Sequence, residues 1–226
     1  MALTPRARMM LGEVPRGLAG IARLPVEWRA LADAPRGDGG PVMLLPGLFN
    51  GDRSNMVLRH YLSTLEHDVA GWGLGRNLGQ RTVGANGARL LAAIEQRAAR
   101  TGRPVALVGI SLGGVMARIA ARRLPDLVSS VVTVSAPFAG PPEHMPMWPV
   151  YRRCLNLDRA QVTALLAEAA AALPVPATAI WSAADGLVGG EQCHGDDCSA
   201  VAVRASHLWV QFNPKVLRAV AAALAV

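Results

Sequence analysis

The chain predicts an α/β fold: a mostly parallel sheet with helices on both faces. Three observations carry this expectation. Short apolar runs rich in Val and Ile recur at residues 41–45, 69–72, 105–109, 128–134, 177–181 and 200–203. Such runs are apolar on both faces, as strands buried in a parallel sheet must be. Between them lie segments with helical spacing, and Gly, Pro and Asn stand at the junctions.

Residues 1–38 read as a peripheral helical arm. Met9, Met10, Leu11, Leu18, Ile21 and Leu24 alternate with Arg16, Arg23 and Arg29, and Pro15 and Pro25 are expected to break the run. Packing on the domain is favoured for this arm, with shielding of a site or transient contact with a membrane or lipid interface as the other readings. Leu58, Tyr61, Leu62 and Leu65 mark a first surface helix. Leu90, Leu91 and Ile94 mark a second, closed by Gly102 and Pro104, and Met116, Ile119 and Ala120 mark a third, ended by Pro125.

Residues 137–173 contain no strand pattern and are expected to form a lid or cap insertion. Met145, Met147, Trp148 and Tyr151 precede a helix capped by Asp158 with Gln161 three residues on. Ordinary helical packing over the sheet is the competing view. Asn213 and Pro214 then open a last helix carrying Val216, Leu217, Val220 and Leu224. One domain over 1–226 is expected.

Composition narrows the function classes. The 226 residues are 51% hydrophobic and 17% charged, which excludes a disordered chain. The greasiest stretch, 169–181, is interrupted by Pro174 and Pro176, so no transmembrane span is expected. No secretory signal is evident at residues 1–38, and the cytoplasm is the default expectation. The net charge of +7 is nearly all arginine, scattered singly or in pairs, and aromatics make up only 4%. Nucleic acid is therefore not the expected partner.

The strongest chemical signal is PVALVGISLGG at 104–114. A buried strand enters Gly109-Ile110-Ser111-Leu112-Gly113 and a helix follows, which is the context of a strained turn that exposes a serine hydroxyl. A hydroxyl is a weak nucleophile until a base takes its proton. Asp185 follows the strand ending at Trp181, and His207 follows the last apolar run, so acid and base both stand past strand ends. His60, His67, His144 and His194 sit in poorer places and are expected to be solvated or packed.

Acyl transfer also needs donors for a developing oxyanion. Leu112 N–H follows the serine, and Gly47 in Leu45-Pro46-Gly47-Leu48-Phe49 would let Leu48 N–H turn inward. Phe49, Met145, Met147 and Trp148 are the candidate apolar contacts to substrate. GWGLGRNLG at 71–79 has the wrong glycine spacing for a dinucleotide loop and is expected to open no helix at once, so a rigid loop beside the site is expected instead. Cys193 and Cys198 flank His194 without the ligand spacing of a zinc site, leaving a local disulfide or free thiols, and Cys154 would stay unpaired.

The blocks LLPGLFNGDRS, GWGLGRNLG, VGISLGG, SAADGLV and SHLWVQFNP resemble those of the bacterial α/β-hydrolase esterases and lipases, over most of 41–226. The resemblance implies a serine carboxylester hydrolase with Ser111 as nucleophile, Asp185 as acid, His207 as base and Leu48 with Leu112 as oxyanion donors. It implies no cofactor and no metal. Pro46-Gly47 stands where many relatives have His-Gly, and the first strands of the larger fold are missing, so a reduced α/β-hydrolase fold with a helical arm is expected. A thioesterase or acyltransferase on the same triad, or an inactive hydrolase-fold binding protein, are the alternatives.

Overall fold

The computed structural model describes residues 5–146, 148–149 and 158–225. Met147, Tyr151 and Cys154 lie outside the described residues. Six strands form one sheet: β1 (Pro41–Leu45), β2 (Asp68–Gly71), β3 (Val105–Ile110), β4 (Val128–Val134), β5 (Ala177–Trp181) and β6 (Ser199–Ala202). Their order is β2-β1-β3-β4-β5-β6, and each neighbouring pair is parallel.

Two-sided burial explains why β1 and β3 read as continuous apolar runs, whereas β6, an edge strand expected to be buried, is exposed along its length. Val42 and Leu44 of β1, with Val108 and Ile110 of β3, face a cluster containing Leu58, Leu62, Leu217 and Val220. Met43, Leu45 and Leu107 face the opposite cluster, with Leu90, Ile94, Ala117 and Ala121. The helices follow from this division. α1 (Pro5–Leu11), α2 (Glu13–Leu31) and α3 (Met56–Thr64) precede the short α4 (Gln80–Val83), α5 (Ala88–Thr101) and α6 (Leu112–Arg123). α7 (Arg159–Ala170) and α8 (Pro214–Leu224) complete the set among the described residues.

The expected caps recur in the structure. Gly102 adopts φ 66° at the end of α5, Asp158 and Gln161 form a reciprocal capping box on α7, and Asn213 accepts from Lys215 N–H at the start of α8.

Two local expectations are corrected. Pro15 and Pro25 do not break the arm, because α2 runs through both. Pro15 lies in the first turn, where an N–H has no intrahelical acceptor, so its missing donor costs little. The glycine-rich loop at 71–79 does open a helix at once: Gly79, at φ 66°, leads into the single turn α4.

The insertion after β4 is fastened to the body. Arg118 of α6 is buried and donates to the carbonyls of Ala169 and Ala171 at the end of α7, to Asp197 Oδ2 at 2.6 Å, and covers the Phe138 ring at 3.9 Å. Arg123 adds a two-pronged pair to Glu168 at 2.7 and 2.6 Å. α7 is thus a helix packed on α6.

Candidate active site

Strand order reverses between β1 and β3, and the crevice beyond the carboxyl ends of strands at such a point is where open α/β sheets place ligands. Ser111 directly follows β3 there. Its φ of 52° and ψ of −121° put an L-residue in the left-handed half of backbone space, the strain expected of a sharp strand-to-helix turn. Ser111 N–H donates to Val134 O at 2.8 Å, tying the turn to β4. A Cβ on Gly109 would collide with the backbone of Gly113 and Gly114, and one on Gly113 with the backbone of Leu45 and Pro46. Glycine is required at both positions because helix and strand touch main chain to main chain.

The structure brings the three separated residues together. His207 Nε2 lies 3.1 Å from Ser111 Oγ, and His207 Nδ1 lies 2.8 Å from Asp185 Oδ2. Asp185 Oδ1 accepts from Leu187 N–H and Val188 N–H at 3.0 and 3.1 Å. Ser182 Oγ donates to Ala205 O at 2.7 Å and accepts from Ala184 N–H and Ala205 N–H, so the acid's turn and the histidine's loop are joined directly.

Burial and charge oppose each other here. Burial by itself would raise the Asp185 carboxyl, but the neighbouring imidazole and the two backbone donors outweigh it and hold the group below its usual range. Burial would likewise lower His207, but the charge and hydrogen bond of Asp185, with the charge of Glu13, raise it above the usual 6.5. An ionised Asp185 at Nδ1 fixes the proton on that nitrogen in the neutral ring, leaving Nε2 as acceptor for the serine proton.

The loop after β1 stands against the serine: a Cβ on Gly47 would lie 3.3 Å from Ser111 Cβ. Leu48 packs against the apolar cluster that contains Leu112 and Val115, whereas Phe49 is 51% exposed and at φ 64°. Sequence reasoning missed what holds this loop. Asn77, fully buried, donates from Nδ2 to Pro46 O at 2.7 Å and accepts at Oδ1 from Gly79 N–H at 3.0 Å. Phe49 N–H donates to Asn77 O at 2.8 Å, and Asn77 N–H to Asn50 O at 2.7 Å. Glu13 of α2 was also missed; its carboxylate meets the loops carrying Asp185 and His207.

An apolar cavity of about 370 Å³ opens beside Leu112, between α5, α6 and α7. Val115, Met116, Ile119, Met145 and Trp148 are among its lining residues, and Phe49 is not. Met145 also packs with Val188 and Cys193. Cys193 and Cys198 are free thiols whose Sγ atoms contact Gly189 O and Gly195 O. His60 is stacked on Trp28 and His194 lies against Trp181.

Comparison with known proteins agrees with this architecture. A family model for the α/β-hydrolase fold matches residues 86–182, the segment that contains Ser111. A Bacillus licheniformis lipase superposes with TM-score 0.59 at 16% identity, over 83% of this chain and 92% of the lipase. A monoacylglycerol lipase of Paleococcus ferrophilus gives 0.58 at 16% identity, over 84% and 96%. An esterase from a marine microorganism gives 0.56 at 13% identity, over 82% and 95%. With six parallel strands, the turn at Ser111 and these likenesses in hand, the chain is an α/β-hydrolase-fold protein.

Proposed function

We propose that this protein is a serine hydrolase of carboxylic esters that works through an acyl-enzyme. The observation that carries the reading is the unbroken relay from Ser111 Oγ through His207 to Asp185, at 3.1 and 2.8 Å. In the first step Nε2 takes the Oγ proton as Oγ bonds to the carbonyl carbon. The oxyanion then forms beside Leu48 N–H and Leu112 N–H. The latter begins α6, where an N–H has no partner within the helix and the dipole favours negative charge. Collapse expels the alcohol, which leaves with the proton from His207. Water repeats the sequence, giving its proton to Nε2, and the acid product departs as Ser111 regains its hydrogen.

The cavity beside Leu112 supports an apolar acyl or aromatic group, because Met116, Ile119, Met145 and Trp148 offer dispersion contact and little to a charge. The test is labelling by a fluorophosphonate, wild type beside Ser111→Ala. Modification of the wild type alone is expected; an unreactive wild type or a labelled variant overturns the mechanism. A nitrophenyl ester series should favour apolar acyl groups over succinyl, and the reverse order would refute the substrate class.

A further inference from the structure

We infer that Glu13, on the N-terminal arm, is a positioning residue for the acid and base of the active site. This rests on the hydrolase reading above. Glu13 is 1% exposed, and the groups within hydrogen-bond reach of its carboxylate are all donors. Oε1 accepts from Gly186 N–H at 2.8 Å and from Arg16 at 3.0 Å. Oε2 accepts from Ser206 Oγ at 2.6 Å, His207 N–H at 2.7 Å and Leu208 N–H at 3.2 Å. One carboxylate therefore holds the residue after Asp185 with one oxygen and His207 itself, with both neighbours, through the other.

The arm is shaped to deliver this group. A Cβ on Gly17 would meet the Trp209 ring at 2.7 Å and Leu208 O at 2.9 Å, and one on Gly186 would meet the Met9 backbone at 2.6 Å. Arg16 closes the junction by donating to Met9 O at 2.6 Å and Ala184 O at 3.0 Å. Small residues on both sides thus permit close approach, and the buried acceptor satisfies N–H groups that the loops would otherwise bury unpaired. The fixed N–H of His207 sets where its ring lies between Ser111 and Asp185, while the Glu13 charge adds to that of Asp185 in favouring the imidazolium. Arg16 faces Glu13 as its counter-charge, and the Cys193 thiol lies within the field of Asp185.

The experiment follows the His207 imidazole by NMR across pH, with kcat and KM for nitrophenyl butyrate, in wild type, Glu13→Gln and Arg16→Met. Glu13→Gln should move the His207 midpoint down. It should also lower kcat by roughly ten- to a hundredfold with KM within about twofold. Arg16→Met leaves the carboxylate uncompensated and should move the midpoint up. Midpoints equal to wild type in both variants, or an unchanged kcat in Glu13→Gln, overturn the inference. A role confined to fold stability would lower melting temperature without opposite midpoint shifts. If Glu13→Gln does not fold, the direction seen in Arg16→Met decides. If wild type is inert to fluorophosphonate, the hydrolase reading fails, and the imidazole titration still decides Glu13 alone.

Discussion

Replacing Asn77 by Ala separates the cost of holding the loop after β1 from the cost of building the rest of the fold. The substitution removes the donor to Pro46 O at 2.7 Å and the acceptor of Gly79 N–H at 3.0 Å, both in a buried setting. Each backbone group left without a partner costs about 1–3 kcal/mol, so roughly 2–6 kcal/mol of stability should be lost. That is a large share of the ~5–15 kcal/mol that holds a domain together. The backbone bonds from Asn77 to Phe49 and Asn50 survive, so the loop is slackened at Pro46 and not released. Pro46 is followed by Gly47, which lies against Ser111, and then by Leu48, whose N–H is the proposed oxyanion donor. Complete loss of such a donor costs about 10²–10³ in kcat, and a misplaced one should cost roughly tenfold or more. Urea unfolding followed by tryptophan fluorescence gives the first quantity, and steady-state hydrolysis of nitrophenyl butyrate the second. An unfolding midpoint equal to wild type would refute the hydrogen-bond account of the loop. Reduced stability with kcat intact would refute its link to catalysis.

Other outcomes follow from the same geometry. Hydrolysis should rise with pH through the His207 midpoint, above the usual 6.5, since only the neutral ring accepts the serine proton; a kcat/KM acid limb centred well below that value would refute the assignment. The stability that His207 gains from its carboxylates is present below 6.5 and lost as pH rises through its folded value, whereas that of Asp185 is present above 3.8 and lost on acidification below it. Gly113→Ala drives a methyl into the Leu45 and Pro46 main chain and should cost about 1–3 kcal/mol or more, read as a lowered urea midpoint. Arg118→Ala strands the Asp197 carboxylate and the Ala169 and Ala171 carbonyls, and should cost about 3–5 kcal/mol by the same measurement.

The elements of this fold were legible wherever one physical demand leaves a repeated mark in the chain. A strand covered on both faces leaves a mostly apolar run, and the runs at 41–45, 128–134 and 177–181 match β1, β4 and β5 in extent. The turn at Ser111 was legible because main-chain contact excludes every side chain at Gly109 and Gly113. Asp185 and His207 could be singled out because each stands just past a strand, where a parallel sheet gathers its loops.

What stayed hidden shares a different property. Glu13 and Asn77 both bond chiefly to backbone N–H and C=O groups, and every residue but proline carries both, so their partners leave no trace in residue type. Glu13 was further obscured by the arm around it, where exposed Leu11, Val14 and Leu18 suggest a peripheral helix. The buried face of α2 is marked by Gly17 and Gly20, residues that add nothing to a hydrophobic pattern yet allow the helix to lie against the loop after β6. A helix seated through glycines and one carboxylate escapes a reading based on apolar periodicity because its contact is made by backbone approach and hydrogen bonding. The same reasoning explains Arg118, whose position in α6 looks like a solvated cation in sequence. Its partners come from two later segments, α7 and the loop bearing Asp197, and burial of the guanidinium follows only once those carbonyls and that carboxylate have been brought over it.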